Sequence, residues 1–230
     1  LVEGDAVAIY SSASFPGLLL SALAAAEAGR LEPLLVVSLG ASSWGANRPD
    51  LSWPVLAQEL RRAGYRSTRA DFYTLGGDSE TGGGMAPETI DALRVAARDV
   101  GVPVLEASNL AELVDIKTDL LVRHDARLLV SIGGSHANLG DDPEILGLQP
   151  GLHAAAKERQ AGRGVIGRAL ATGIPVLHVL NIRELAAQSG IPFDPRAQAG
   201  APLSVSPGWA MLALVLIFGV LLTHRRWRLV

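Results

Sequence analysis

The sequence predicts an α/β fold built on a mainly parallel sheet, on three observations. Apolar runs of strand length alternate with helical patterns along residues 1–193. Two of those runs, ARLLVSI (126–132) and IPVLHVL (174–180), are apolar almost throughout, as in strands covered on both faces. Each strong run also ends in a loop of small polar residues, where open α/β sheets bind ligands. The alternation implies helices on both sides of the sheet, hence a Rossmann-like three-layer domain.

The elements follow in order. DAVAIY (5–10) is a strand leading to a helix from about Pro16 to Gly29. PLLVVSL (33–39) is a second strand, followed by a loop and a helix from Trp53 to Ala63. A weaker strand spans Arg69 to Tyr73, and the glycine-rich GGDSETGGGM (76–85) reads as a flexible loop. Pro87 suits the first turn of a helix running to Asp99. VPVLE (102–106) is a short strand, and Leu110 to His124 an amphipathic helix. Between the last two apolar runs the pattern predicts helices over His153–Ala161 and Val165–Thr172.

Composition narrows the function classes. The chain has 230 residues, 49% hydrophobic and 19% charged, and no cysteine, which excludes disulfides and thiolate chemistry. Net charge is −3, and Arg225, Arg226 and Arg228 lie in the last six residues, so the remainder is more acidic still. Such a surface suits no general nucleic-acid binder. Residues 208–224 open with an uncharged stretch, GWAMLALVLIFGVLLT, and the basic tail 225–230 follows. A helix over that stretch would be roughly 24 Å long, with Trp209 and Trp227 placed as interface anchors. The expectation is a transmembrane helix with a cytoplasmic Arg cluster, joined by a linker (194–207) to an extracytoplasmic domain (1–193).

The polar loops define the expected site. Ser11, Ser12 and Ser14 precede the helix that starts at Pro16, where backbone N–H groups and the helix dipole favour an anion. Capping would explain one of these serines. A nucleophilic Ser12 or Ser14 lacks the G-x-S-x-G elbow and would need His136 or His178 as base. GASSWGAN (40–47) offers Ser42, Ser43, Trp44 and Asn47, either to a ligand or as a tight loop whose Trp plugs the core. Gly133 and Gly134, in GGSHANLG, can present successive N–H groups to an anion or simply turn the chain. Arg163, Arg168 and Arg183 are candidate cations for a carboxylate, and Asn181 opens the loop after the last strand. GRGVIG (162–167) matches G-x-G-x-x-G, but a helical pattern rather than a strand precedes it, so no dinucleotide is expected. His136, His153 and His178 lack metal-motif spacing, and no metal or other cofactor is expected.

SSASFPGLLLSALAAAEAGRLEPLLVVSLGASSWGANRPDLSW, VSIGGSHANLG and RGVIGRALATGIPVLHVLNIRELAAQSGIPFDP together resemble the poly-gamma-glutamate system protein family. The resemblance covers most of residues 3–196. It implies a membrane segment near each end and an extracytoplasmic domain between them, at a bacterial cell membrane. The chain begins near that family's GD strand start, so an amino-terminal segment is expected to precede Leu1. The resemblance further implies a membrane-anchored accessory component of poly-γ-glutamate synthesis or export, with the polymer or its synthase subunits as partners. By position it carries over Ser12, Ser14, Phe15 and Pro16; Gly40, Ser42, Ser43, Trp44, Gly45 and Asn47; Gly133 and Gly134; Arg163, Gly164, Gly167 and Arg168; and Asn181 and Arg183. The family usually has a small residue where His136 stands. Two alternatives stay open: a serine-dependent hydrolase or transferase of γ-glutamyl polymer, and a non-catalytic scaffold that docks proteins.

Overall fold

A computed structural model of the chain describes residues 1–40, 48–65, 68–155 and 162–193. The expected site residues Ser42, Ser43, Trp44 and Asn47 lie outside the described residues, as do the linker, the expected membrane helix and the basic tail. Among the described residues no helix is long and apolar enough to cross a membrane. The chain divides into two units, Leu1–Ser189 and Gly190–Val230, and the architecture is that of the first.

Among the described residues six strands form one sheet: β1 (Ala6–Ser12), β2 (Glu32–Gly40), β3 (Phe72–Gly76), β4 (Leu128–Ile132), β5 (Gly151–His153) and β6 (Val176–Val179). Their order is β3-β2-β1-β4-β6-β5. All neighbours are parallel except β5, which runs antiparallel to β6 at the edge. Among the described residues seven α-helices accompany them: α1 (Pro16–Ala28), α2 (Trp53–Arg62), α3 (Pro87–Asp99), α4 (Leu110–Arg123), α5 (His136–Leu139), α6 (Val165–Thr172) and α7 (Ile182–Gln188).

Strand periodicity divides the core in two. Val7, Ile9, Leu35, Val37, Tyr73, Val130 and Val179 point to one face, against Leu19 and Leu23 of α1, Trp53 of α2 and Leu93 of α3. Ala8, Tyr10, Leu34, Val36, Leu129 and Val176 point to the other, against Leu113 and Leu121 of α4 and Val165, Ile166 and Leu170 of α6. Burying each such side chain stabilises the fold by about 1.5–3 kcal/mol. Two apolar layers on one sheet explain why the strand runs are apolar at nearly every position.

Local signals set the helix ends. Pro16 opens α1 and Pro87 opens α3, where a missing N–H costs no hydrogen bond. Asn109 accepts from the Glu112 N–H at 2.9 Å, while the Glu112 carboxylate accepts from the Ser108 N–H at 2.8 Å, a reciprocal cap on α4. α6 stops at Gly173, which is left-handed at φ 95°.

Three expected elements differ. The strand expected over Arg69–Tyr73 lies about three residues later, as β3, and takes in Gly76 of the expected loop. His153, the expected start of a helix, instead ends β5; of that helix, residues 156–161 lie outside the described residues. Pairing of Gly151–His153 with His178–Val176 outweighs the helical preference of the alanines that follow. The strand expected over 102–106 shrinks to one bridge, Val104 to Tyr73. Pro103 has no N–H to extend a ladder.

Candidate functional site

The order of strands reverses at β1. The chain winds outward through β2 and β3, then returns to place β4 on the other side of β1. At such a switch point the loops after the two central strands part and leave a crevice. A cleft of about 540 Å³ lies there, lined from the ends of β1, β2, β3 and β4.

β1 contributes two hydroxyls. Ser12, buried, and Ser14, half-buried, lie with their Oγ atoms 2.9 Å apart. Whichever serine donates, the other keeps its own hydroxyl hydrogen for a ligand. The first turn of the 13-residue α1 has no side-chain cap, so its leading N–H groups are not taken by a serine. β2 adds buried Ser38 and Gly40. β4 is followed by Gly133, at φ 80°, where a Cβ would lie 2.7 Å from the Phe15 ring and 3.1 Å from Ser12 Cβ. Only glycine lets the β4 turn pass that close to the serine segment. Gly134, Ser135 and His136 then form the opposite wall.

The loop after β3 closes the third side. It is not the free loop that its glycines suggest. The Asp78 N–H donates to the Gly83 carbonyl at 2.8 Å and the Gly82 N–H to the Gly76 carbonyl at 2.7 Å. The Ser79 N–H donates to His136 Nδ1 at 3.0 Å. A neutral imidazole that accepts at Nδ1 carries its proton on Nε2. His136 therefore lines the cleft as a hydrogen-bond donor, and the lone pair that a serine nucleophile would need is absent from Nε2.

Beneath the cleft lies a buried ion pair that no local sequence signal announces. Glu80 and Lys117 are each 1% exposed, with Lys117 Nζ 3.0 Å from Glu80 Oε1. Thr74 Oγ1 donates to the same oxygen at 2.5 Å. Oε2 accepts from Ser135 Oγ and, at 3.0 Å, from the Ala137 N–H. Burial alone would raise the Glu80 carboxyl, but the Lys117 ammonium and these hydrogen bonds outweigh it and hold it below the usual range. Burial also pushes Lys117 down, and the Glu80 carboxylate opposes that. Lys117 Nζ further sits 5.2 Å from the centre of the Tyr10 ring, and the Tyr10 hydroxyl donates to the Lys117 carbonyl at 2.8 Å.

The site thus gathers part of the expected set. Ser12, Ser14, Gly134 and His136 line one cleft, with Gly133 behind them. The expected cations Arg163 and Arg168 do not join it. Arg163 Nε and N–H both donate to the Asp142 carboxylate, each at 2.6 Å. Arg168 pairs with Asp115 of α4 and donates to the Arg163 carbonyl at 3.2 Å. In an acidic domain nearby carboxylates take these guanidinium groups. Arg183 lies in the first turn of α7. Asn181, left-handed at φ 50°, lines a separate cavity of about 180 Å³ with His178, and donates to Glu184 at 2.7 Å. Among the described residues no Arg or Lys lines the main cleft, and no group of three or more His, Asp or Glu is placed to hold a metal ion.

Sequence reasoning missed Ser38, Asp78, Glu80, Lys117 and Ser135. Lys117 left one trace: it falls on the apolar stripe of α4 with Leu113, Val114 and Leu121. Glu80 left none, because its partners stand 37 and more residues away, apart from Thr74. Comparison with known proteins adds no identity to this geometry: no family model, no curated protein and no solved structure matches the chain.

Proposed function

We propose that the chain is a membrane-anchored accessory component of poly-γ-glutamate synthesis or export, whose extracytoplasmic domain binds the polymer's carboxylates in the cleft between β1 and β4. The observation that carries the binding half is the run of donors around one opening: the paired Ser12 and Ser14 hydroxyls, the uncapped first turn of α1, Ser38, and His136 protonated on Nε2. A carboxylate accepts from the one hydroxyl hydrogen the serine pair leaves free and from each of the other donors. Exposed Asp78 lies on the rim as an acceptor for an amide N–H of the same ligand. The pathway and the anchor rest on the sequence resemblance and on the uncharged stretch before the basic tail.

Calorimetric titration of the full chain in detergent with oligo-γ-glutamate tests this. Ser12→Ala and Ser14→Ala should each weaken binding by roughly tenfold or more, the worth of a hydrogen bond to a charged acceptor. Unchanged affinity in both variants removes the cleft as the binding site. The hydrolase reading has its serines and a histidine in one cleft, but His136 there is held in the donor tautomer.

A further inference from the structure

We propose that the floor of the cleft is a carboxylate receptor whose present occupant is the chain's own Glu80. Both carboxylate oxygens are saturated: Oε1 by Thr74 Oγ1 and Lys117 Nζ, Oε2 by Ser135 Oγ and the Ala137 N–H. These four donors sit on β3, α4 and the start of α5, and none is on residues 76–85. Removing Glu80 would leave all four pointing at one empty place.

The segment that carries Glu80 is built to enter that place at a conformational cost. Ser79 and Glu80 both lie in the left-handed region, at φ 57° and 60°, without being glycine. Gly76, Gly77, Gly82 and Gly84 around them also have positive φ, which glycine adopts at little cost, so the strain falls on Ser79 and Glu80. Glu80 and Ser135 line the cleft, so the receptor opens toward the same space as Ser12 and Ser14. A ligand carboxylate on a flexible arm that entered from the cleft would compete with Glu80 for Lys117 and Ser135. Glu80 then acts as a tethered mimic of the ligand, and occupancy by one excludes the other.

The geometry also names the arm. A glutamate side chain presents its carboxylate on two methylenes. In a γ-linked polymer the internal carboxylates stand directly on the chain's methine carbons. Only the end with a free γ-carboxyl offers a carboxylate on two methylenes. The receptor therefore fits a chain end. That last step rests on the proposed polymer ligand; the receptor itself does not.

Glu80→Gly in the full chain is the test, because glycine relaxes the left-handed backbone while removing the side chain. The missing fragment corresponds to propionate. Sodium propionate should stabilise Glu80→Gly against heat relative to sodium chloride at equal ionic strength. At roughly tenfold excess over its Kd the shift should be about 3–6 °C. The wild type should not respond, and adding Lys117→Met to Glu80→Gly should abolish the effect. A folded Glu80→Gly that responds equally to both salts overturns the proposal. If Glu80→Gly does not fold, hydrogen exchange of the wild type decides. Propionate should speed exchange at Asp78, Glu80 and Gly82 relative to chloride, and unchanged rates overturn the proposal. Failure of oligo-γ-glutamate to bind the wild type would remove the polymer while leaving propionate rescue intact, so the two readings fail separately.

Discussion

At the scale of single residues, the buried pair decides most. Glu80 and Lys117 each lose their hydration, and each is tolerable only because the other is there. Lys117→Met therefore strands a carboxylate in the interior, and Glu80→Gln strands an ammonium. Each should cost about 3–5 kcal/mol of unfolding free energy in urea denaturation at neutral pH. The double variant should be less destabilised than the sum by at least about 1 kcal/mol, since removing both charges removes the stranding. Strict additivity would mean that the two groups do not support each other. Why the sequence concealed this pair is plain at the same scale. A lysine inside an apolar helical stripe is a visible anomaly, but the stripe does not say which acid meets it. Glu80 stands in a run of glycines that reads as free loop, and no 2- or 3.6-residue period links residues 37 apart. Ser12 and Ser14 were legible because their signal is local: hydroxyls beside a proline that opens a helix.

At the scale of elements, the glycine motif before α6 shows what a pattern can and cannot say. The sequence ahead of GRGVIG has a helical pattern rather than a strand pattern, which argues against a dinucleotide site, and the structure gives its glycine another task. A Cβ on Gly164 would lie 2.4 Å from the Gly140 nitrogen and from the Leu139 carbonyl carbon. Two backbones cross there, where the N-terminus of α6 meets the end of α5. Backbone cannot move aside as a side chain can, so Gly164→Ala should destabilise by about 1–3 kcal/mol or more. Chemical denaturation checks this, and a loss within about 0.5 kcal/mol would show that the crossing is loose. Helices α1, α2, α3, α4 and α6 begin and end within about two residues of where periodicity and proline place them. Their signals are internal to each segment. β5 was illegible because three residues carry no period, and what makes Gly151–His153 a strand is the open edge of β6. Convergence of the strand-end loops follows from a parallel sheet and is legible, but their spacing in sequence says nothing about Arg163 finding Asp142 before it can reach the cleft.

At the scale of the whole molecule, two buried groups set how stability answers acid. His178, 3% exposed in the middle of β6, has its ring pushed down to about 4, first by burial and then by nearby His153. Unfolded, the same ring titrates near 6.5. Between these values the unfolded chain binds more protons than the folded one, so stability falls as pH drops from about 6.5 to about 4. The full leg is of order 3 kcal/mol. Glu80 acts lower. Its folded carboxyl lies below the usual range, so its contribution is complete above the unfolded value of about 4.3 and is lost as pH falls through the folded one. Exposed Asp50 and Glu112 and half-buried Asp142 lean the same way. The fold should therefore weaken in two steps, the upper one owed to a single imidazole. His178 Nδ1 has no hydrogen-bond partner among the described residues, so an apolar replacement strands no group at that nitrogen. His178→Leu should flatten the curve of unfolding free energy against pH between about 6.5 and 4 and leave the steeper fall below about 4 in place. Urea midpoints collected across that range for both proteins check this. An unchanged upper slope in the variant would assign the first step to groups other than the β6 histidine.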